Sequence, residues 1–167
     1  MKVYHTLEPI YDKQSKVLIL GSMPSVKSKE VGFYYGHPKN RFWKTLEAVY
    51  QETIKDDMES KIQFLNRHHI ALFDVIKSCD IEGSSDSSIK NVVPNDLTSI
   101  LKNSRIHTIF TTGQKAYQLY QKYIYPKTKI EAISLPSTSP ANCKKGIEEI
   151  LIREYQKIKL YTNELEK

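Results

Sequence analysis

Residues 16–25 read KVLILGSMPS. Val17–Leu20 is an apolar run with the length and β-branched content of a buried strand. Gly21 and Pro24 break it, so Gly21-Ser22-Met23-Pro24-Ser25 is a loop at a strand's C-terminal end. In open parallel sheets that edge is where ligands bind. The chain continues to Trp43 as VKSKEVGFYYGHPKNRFW, which mixes Phe33, Tyr34, Tyr35 and Trp43 with His37, Lys39, Asn40 and Arg41. Apolar planes beside amide and cationic groups suit a site that stacks a flat ring and grips a phosphate. A plainer reading of the same letters stays open: Asn40 as the N-cap of a helix starting at Arg41, and the aromatics as core.

Outward from this stretch, apolar runs and amphipathic segments alternate. Further strands are expected at Ile70–Phe73, Ile106–Phe110 and Ile130–Leu135, and helices at Arg41–Gln51, Asp56–Arg67, from Pro94 through Leu101, at Gln114–Tyr125 and from Ile147 to Leu160 or beyond. Met1–Ser15 reads as a polar lead-in, and Ile81–Val93, rich in Ser and Asp, as a loop. Four strands alternating with helices predict an α/β fold, a three-layer α/β/α sandwich around a four-stranded parallel sheet. The 167 residues are expected to form a single domain with its core over about 16–160. Gly21–Ser25, Thr111–Gly113 and Pro136–Ser139 follow three of the strands and would meet at one sheet edge.

Composition narrows the chemistry. The net charge of +6 fits a nucleic-acid partner without requiring one. Eleven tyrosines add stacking or half-buried packing surface. The cysteines are Cys79 and Cys143 alone, which excludes a zinc ribbon or a four-thiolate cluster held by this chain by itself. No apolar run approaches the ~18 residues of a membrane span, and a cytosolic protein with reduced thiols, nucleoid-associated in a prokaryote, is expected. GxGxxG, GxxxxGK[ST] and HExxH are absent, so nucleotide cofactors and zincin chemistry have no motif support.

Single residues each carry two readings. His37, next to Pro38, is a general acid–base candidate or a turn residue. Asp74, at the end of its strand, caps a loop or faces the cleft. Ser137, Thr138 and Ser139, between two prolines, offer hydroxyls and backbone N–H groups to a phosphate or only start a helix.

Taken in order, GSMPS, YYGHPKNRFW, ALFDVI, FTTGQKA and LPSTSPAN resemble the uracil-DNA glycosylase superfamily, and are most similar to its hypoxanthine-DNA glycosylase branch, the DNA-deoxyinosine glycosylases. The resemblance spans about Lys16 to Asn142. It implies hydrolysis of the bond between a deaminated base (hypoxanthine, with uracil or xanthine as further substrates) and deoxyribose in double- or single-stranded DNA, after the nucleotide is flipped out. It implies a monofunctional, monomeric enzyme of base excision repair with no cofactor and no metal. By position, Asn40 would hold the attacking water. Tyr35 would stack on the base. Gly21, Ser22, Met23, Pro24 and Asp74 would surround the base, with backbone N–H groups of Gly21–Met23 as donors. Lys39, Arg41, Ser137, Thr138 and Ser139 would contact DNA. Met23 stands where many relatives carry a water-positioning Asn or Asp, and a thioether is only a weak acceptor. Leu135 stands where uracil-specific relatives carry a His. These two departures keep a rival reading alive, a nucleic-acid or nucleotide-binding module of the same fold that has lost its chemistry. A third, a structural α/β domain with no nucleic-acid role, would go with evenly spread basic residues.

Overall fold

A computed structural model describes residues 1–82 and 86–163. The elements run β1 (Lys2–Tyr4), β2 (Val17–Gly21), α1 (Val26–Val31), α2 (Phe42–Tyr50), α3 (Met58–Arg67), β3 (Ile70–Asp74), β4 (Ile76–Asp80), β5 (Lys90–Pro94), α4 (Thr98–Lys102), β6 (Thr108–Thr112), α5 (Gln114–Tyr123), α6 (Tyr125–Thr128), β7 (Ala132–Leu135) and α7 (Ile147–Asn163).

β2, the aliphatic run, lies inside a parallel sheet of order β3-β2-β6-β7. Successive strand residues point to opposite faces, and Val17, Leu18, Ile19 and Leu20 are all 0% exposed, so both faces are covered. Each such side chain contributes about 1.5–3 kcal/mol on burial. α7 packs on α2 and β2, α5 on β6 and β7, and α3 on β3. This is the α/β/α arrangement read from the alternation. The outer edge at β3 is occupied at one point by Ile10, whose N–H and C=O both pair with Leu72 at 3.0 and 2.9 Å.

The element ends move for local reasons. The strand expected at Ile106–Phe110 runs Thr108–Thr112, because its pairing with β7 continues to Thr112 opposite Leu135. The strand expected from Ile130 starts at Ala132. Ile130 C=O accepts from the Tyr120 hydroxyl at 2.6 Å and its N–H donates to Thr128 Oγ1 at 3.2 Å, which removes both groups from the ladder. Pro126, at the start of α6, has no N–H to continue α5, so the expected Gln114–Tyr125 helix divides. The helix expected from Pro94 begins at Thr98, after Asp96 Oδ1 has accepted the Thr98 N–H at 2.9 Å.

A second sheet, antiparallel and of order β1-β4-β5, corrects two expectations. The supposed lead-in contains β1, and the supposed loop Ile81–Val93 contains most of β5; its residues 83–85 lie outside the described residues. These strands carry little apolar alternation. β1 pairs with β4 across the whole N-terminal half (Lys2 with Asp80, Tyr4 with Ser78), a partnership that no local pattern signals. After Ser25 the structure adds a short helix that the sequence reading did not expect. Ser25 Oγ accepts the Ser28 N–H at 3.1 Å, capping the short helix α1, which Gly32 closes in a left-handed conformation (φ 84°).

Candidate active site

The parallel strands end side by side. Gly21 on β2 pairs with Asp74 on β3, and Thr112 on β6 pairs with Leu135 on β7. The crowding requires glycine at 21. A methyl group there would lie 2.6 Å from Asp74 Oδ1, 3.4 Å from Tyr35 Oη and 3.5 Å from Thr112 Oγ1. Beyond Gly21 the loop is fastened to the β3–β4 junction, since Val75 and Ile76 donate their N–H groups to Gly21 O and Ser22 O at 2.8 and 3.0 Å.

Asp74 is buried, and its Oδ2 lies 2.8 Å from His5 Nε2. Tyr35 stands next to it with a positive φ of 53°, a conformation that aromatic residues seldom hold unless their surroundings impose it. One face of its ring lies on Phe42, with centroids 3.9 Å apart and planes 11° from parallel. Any base that stacks on Tyr35 therefore uses the opposite face. Tyr35 Oη is 3.3 Å from Thr112 Oγ1. Burial, and then the negative charge of Asp74, push the hydroxyls of Tyr34 and Tyr35 far above the usual phenol range, so both are neutral donors at any physiological pH.

The start of α2 forms the adjoining wall. Asn40 Oδ1 accepts the Phe42 N–H at 2.9 Å, one turn-type bond that orients the amide and uses one of the two lone pairs of its oxygen. Arg41 holds the N-cap position and makes no side-chain cap. Its Nη1 instead donates to Asn142 O at 3.0 Å and Ser139 O at 3.4 Å, and its N–H to Thr138 O at 3.0 Å. Arg41 thus stitches the Ser137–Asn142 loop to α2, a different task from the phosphate contact read from the sequence. His37 makes a turn bond, with Nδ1 accepting the Lys39 N–H at 3.0 Å, and it also lines the cavity.

The loop after β7 folds on itself. Ser137 Oγ accepts the Ser139 N–H at 3.1 Å, Ser139 Oγ accepts the Ala141 N–H at 3.2 Å, and Asn142 donates to Ser137 O at 2.9 Å. Thr138 is 2% exposed, which withdraws it from the outer surface where phosphates would run. Met23 lies on the cavity wall, packed against the core.

These groups enclose one cavity of about 660 Å³. Gly21, Ser22, Met23, Pro24, Tyr35, Asn40, Asp74, Ser137, Thr138 and Ser139 line it, while Lys39 and Arg41 do not. The sequence reading missed Lys29, Thr112 and His5. Thr112 sits in the FTTGQKA stretch and was within reach of it. Lys29 follows from α1, once that helix is known. His5 has no sequence signal, since it meets Asp74 across 69 residues. Among the described residues, no group of three or more His, Cys, Asp or Glu side chains is placed to hold a metal ion, and no helix is long and apolar enough to cross a membrane.

Residues 8–164 match the profile of the uracil DNA glycosylase superfamily. The chain belongs to that superfamily. Superfamily membership makes it a DNA glycosylase, a hydrolase whose substrate is DNA. Among its relatives is the hypoxanthine DNA glycosylase of Methanosarcina acetivorans, 34% identical over 137 residues, which span 80% of this chain and 84% of the relative. The protein of the same name from Methanosarcina barkeri is 34% identical over 139 residues, 80% and 85% of the two chains. The fold matches the solution NMR structure of an M. acetivorans protein provisionally described as a uracil DNA glycosylase, with a TM-score of 0.77, 30% identity, and coverage of 95% of this glycosylase and 99% of that protein.

Proposed function

We propose that this glycosylase releases hypoxanthine from DNA, with uracil and xanthine as further substrates, and that Asn40 places the attacking water. The observation that carries the reading is the convergence of Tyr35, Asp74, Gly21 and Asn40 on one cavity at the strand ends. The relatives named hypoxanthine DNA glycosylase support the choice of base.

The chemistry follows from the side chains. Breaking an N-glycosidic bond builds positive charge on the sugar and negative charge on the departing base. The base would enter against the face of Tyr35 turned away from Phe42. Hypoxanthine presents an N–H at N1, and the Asp74 carboxylate, an acceptor only when ionised, suits it. The second lone pair of Asn40 Oδ1 accepts a hydrogen from water and aims its oxygen at the sugar carbon. An amide has no useful basicity, so Asn40 orients the water; once the new bond to carbon has formed, the water's second proton passes to solvent, and the base that left as an anion takes a proton from solvent. Backbone N–H groups of the Gly21–Met23 loop meet the charge that grows on the base, as oxyanion-hole donors do. Single-turnover incubation with duplexes containing inosine, uracil or xanthine tests this. Release of free hypoxanthine, with the strand left intact at an abasic site, is the expected result.

One observation favours the rival, a binding module without chemistry. Asn40 Oδ1 already serves Phe42 N–H, and Met23 supplies no water-holding group. Tight binding of an inosine duplex with no base release over many hours would decide for that reading.

A further inference from the structure

The segment that leaves β1 delivers a side chain to Asp74, a residue of the cavity wall. His5 follows β1 directly, and its N–H donates to Lys77 O at 2.8 Å, tying it to β4. Its ring meets Phe73 edge-on at 5.0 Å and lies 6.2 Å from Tyr34. Nε2 is 2.8 Å from Asp74 Oδ2, and the two side chains are 4% and 5% exposed. A carboxylate buried so deeply without a partner takes up a proton rather than hold its charge in an apolar site. Tyr34 and Tyr35, from the segment before α2, also face it and are neutral, and Lys29 of α1 is a cation on the wall of the same cavity. β2 offers Gly21 and β6 the Thr112 hydroxyl, neither of which carries charge. Of these groups His5 is the one that meets the Asp74 carboxylate in a hydrogen bond. The other oxygen, Oδ1, is the one that a Cβ at Gly21 would meet at 2.6 Å, and both residues line the cavity.

We propose that His5 is the positioning residue of the base pocket: its Nε2–H holds Asp74 as a fixed carboxylate, so that Oδ1 accepts the lactam N–H that deamination creates. Adenine has a bare, accepting N1, and hypoxanthine has N1–H. Cytosine and uracil differ in the same way at N3. A carboxylate kept ionised welcomes the deaminated member of each pair and repels the lone pair of the other. Protonated Asp74 would offer an O–H and lose that distinction. The proposal rests on the glycosylase reading above, and it adds the group that sets the reader's protonation state.

The test compares wild type, His5→Phe and His5→Gln. Phenylalanine keeps the ring packing on Phe73 and removes the donor, whereas glutamine keeps an N–H donor. Isotope-edited NMR of the Asp74 carboxyl carbon reads its ionisation without reference to activity. In wild type the expected signal is that of a carboxylate at neutral pH, with the His5 Nε2 proton visible. In His5→Phe the protonation midpoint rises by about one pH unit or more, a tenfold change in proton affinity. Single-turnover hypoxanthine release by that variant falls about tenfold near neutral pH and recovers as the pH rises past the new midpoint. His5→Gln holds the midpoint near that of wild type and recovers most of the rate. A merely structural His5 would lower the melting temperature of both variants and move neither the midpoint nor the pH profile, and that result overturns the proposal. So does a wild type with a bare Nε2 or a titrating Asp74, whether or not His5→Phe folds. A wild type that releases no hypoxanthine overturns the proposed choice of base and the recognition half of this proposal together; the NMR result then reports separately on whether His5 holds Asp74.

Discussion

The Asn40 side-chain oxygen accepts one hydrogen bond at the start of α2, and the size of that bond separates a structural role from a catalytic one. Asn40→Ala removes the acceptor of the Phe42 N–H at 2.9 Å. Losing such a bond at a helix start costs about 1 kcal/mol, which for a chain of this length lowers Tm by roughly 2–4 °C. Domains are stable by about 5–15 kcal/mol, so the variant stays almost wholly folded at the assay temperature, and lost stability alone leaves the observed rate nearly unchanged. If Asn40 places the water, its loss costs on the order of a hundredfold in the chemical step, about 2.7 kcal/mol of barrier, while DNA binding survives because the water matters in the transition state. Asn40→Ser sharpens the comparison. Serine makes the same turn-type bond to an N–H two residues on, more weakly than asparagine, so Tm stays close to that of wild type. Its hydroxyl sits on a shorter arm, which displaces the water, and the single-turnover rate on an inosine duplex falls. Asn40→Asp retains both the turn oxygen and a water acceptor and keeps activity under either account. A folded Asn40→Ser protein that releases hypoxanthine at the wild-type rate would refute the catalytic role.

Three other perturbations follow from the same geometry. Gly21→Ala forces a methyl to within 2.6 Å of Asp74 Oδ1; overpacking of this kind costs about 1–3 kcal/mol, so Tm should drop and base release should fall with it, and an unchanged Tm would mean that Asp74 moves freely. Tyr35→Ala should weaken binding to an inosine duplex by about 1–3 kcal/mol if the ring stacks on the flipped base, read by fluorescence anisotropy, with little change for undamaged duplex. Lys39→Ala should reduce the slope of log K against log salt by about 0.9 if Lys39 neutralises a phosphate; Arg41→Ala should leave that slope alone and lower Tm, because Ser139 O and Asn142 O lose the donor that ties their loop to α2.

What the chain alone determined is what local pattern can carry. The uninterrupted run Val17–Leu20 specifies a strand buried on both faces. Its alternation with amphipathic helices specifies a parallel sheet, and parallel strands necessarily bring Gly21, Asp74 and the Ser137–Ser139 loop to one edge. The order and wording of the stretches from GSMPS to LPSTSPAN carried the family. Tertiary structure decided the rest, through partnerships between residues far apart. β1 and β5 are short and poor in apolar alternation, so their pairing with β4 leaves no period to detect. Arg41 looks like a phosphate ligand in the sequence, and only the return of the Ser137–Asn142 loop shows its guanidinium bound to carbonyls. Thr138 shares a Ser/Thr loop with its neighbours, and packing alone sends it inward. His5 reaches Asp74 because β1 pairs with β4, which leaves β3 after a single residue, and no local signal in the first fifteen residues could have foretold a meeting set by the closure of two sheets.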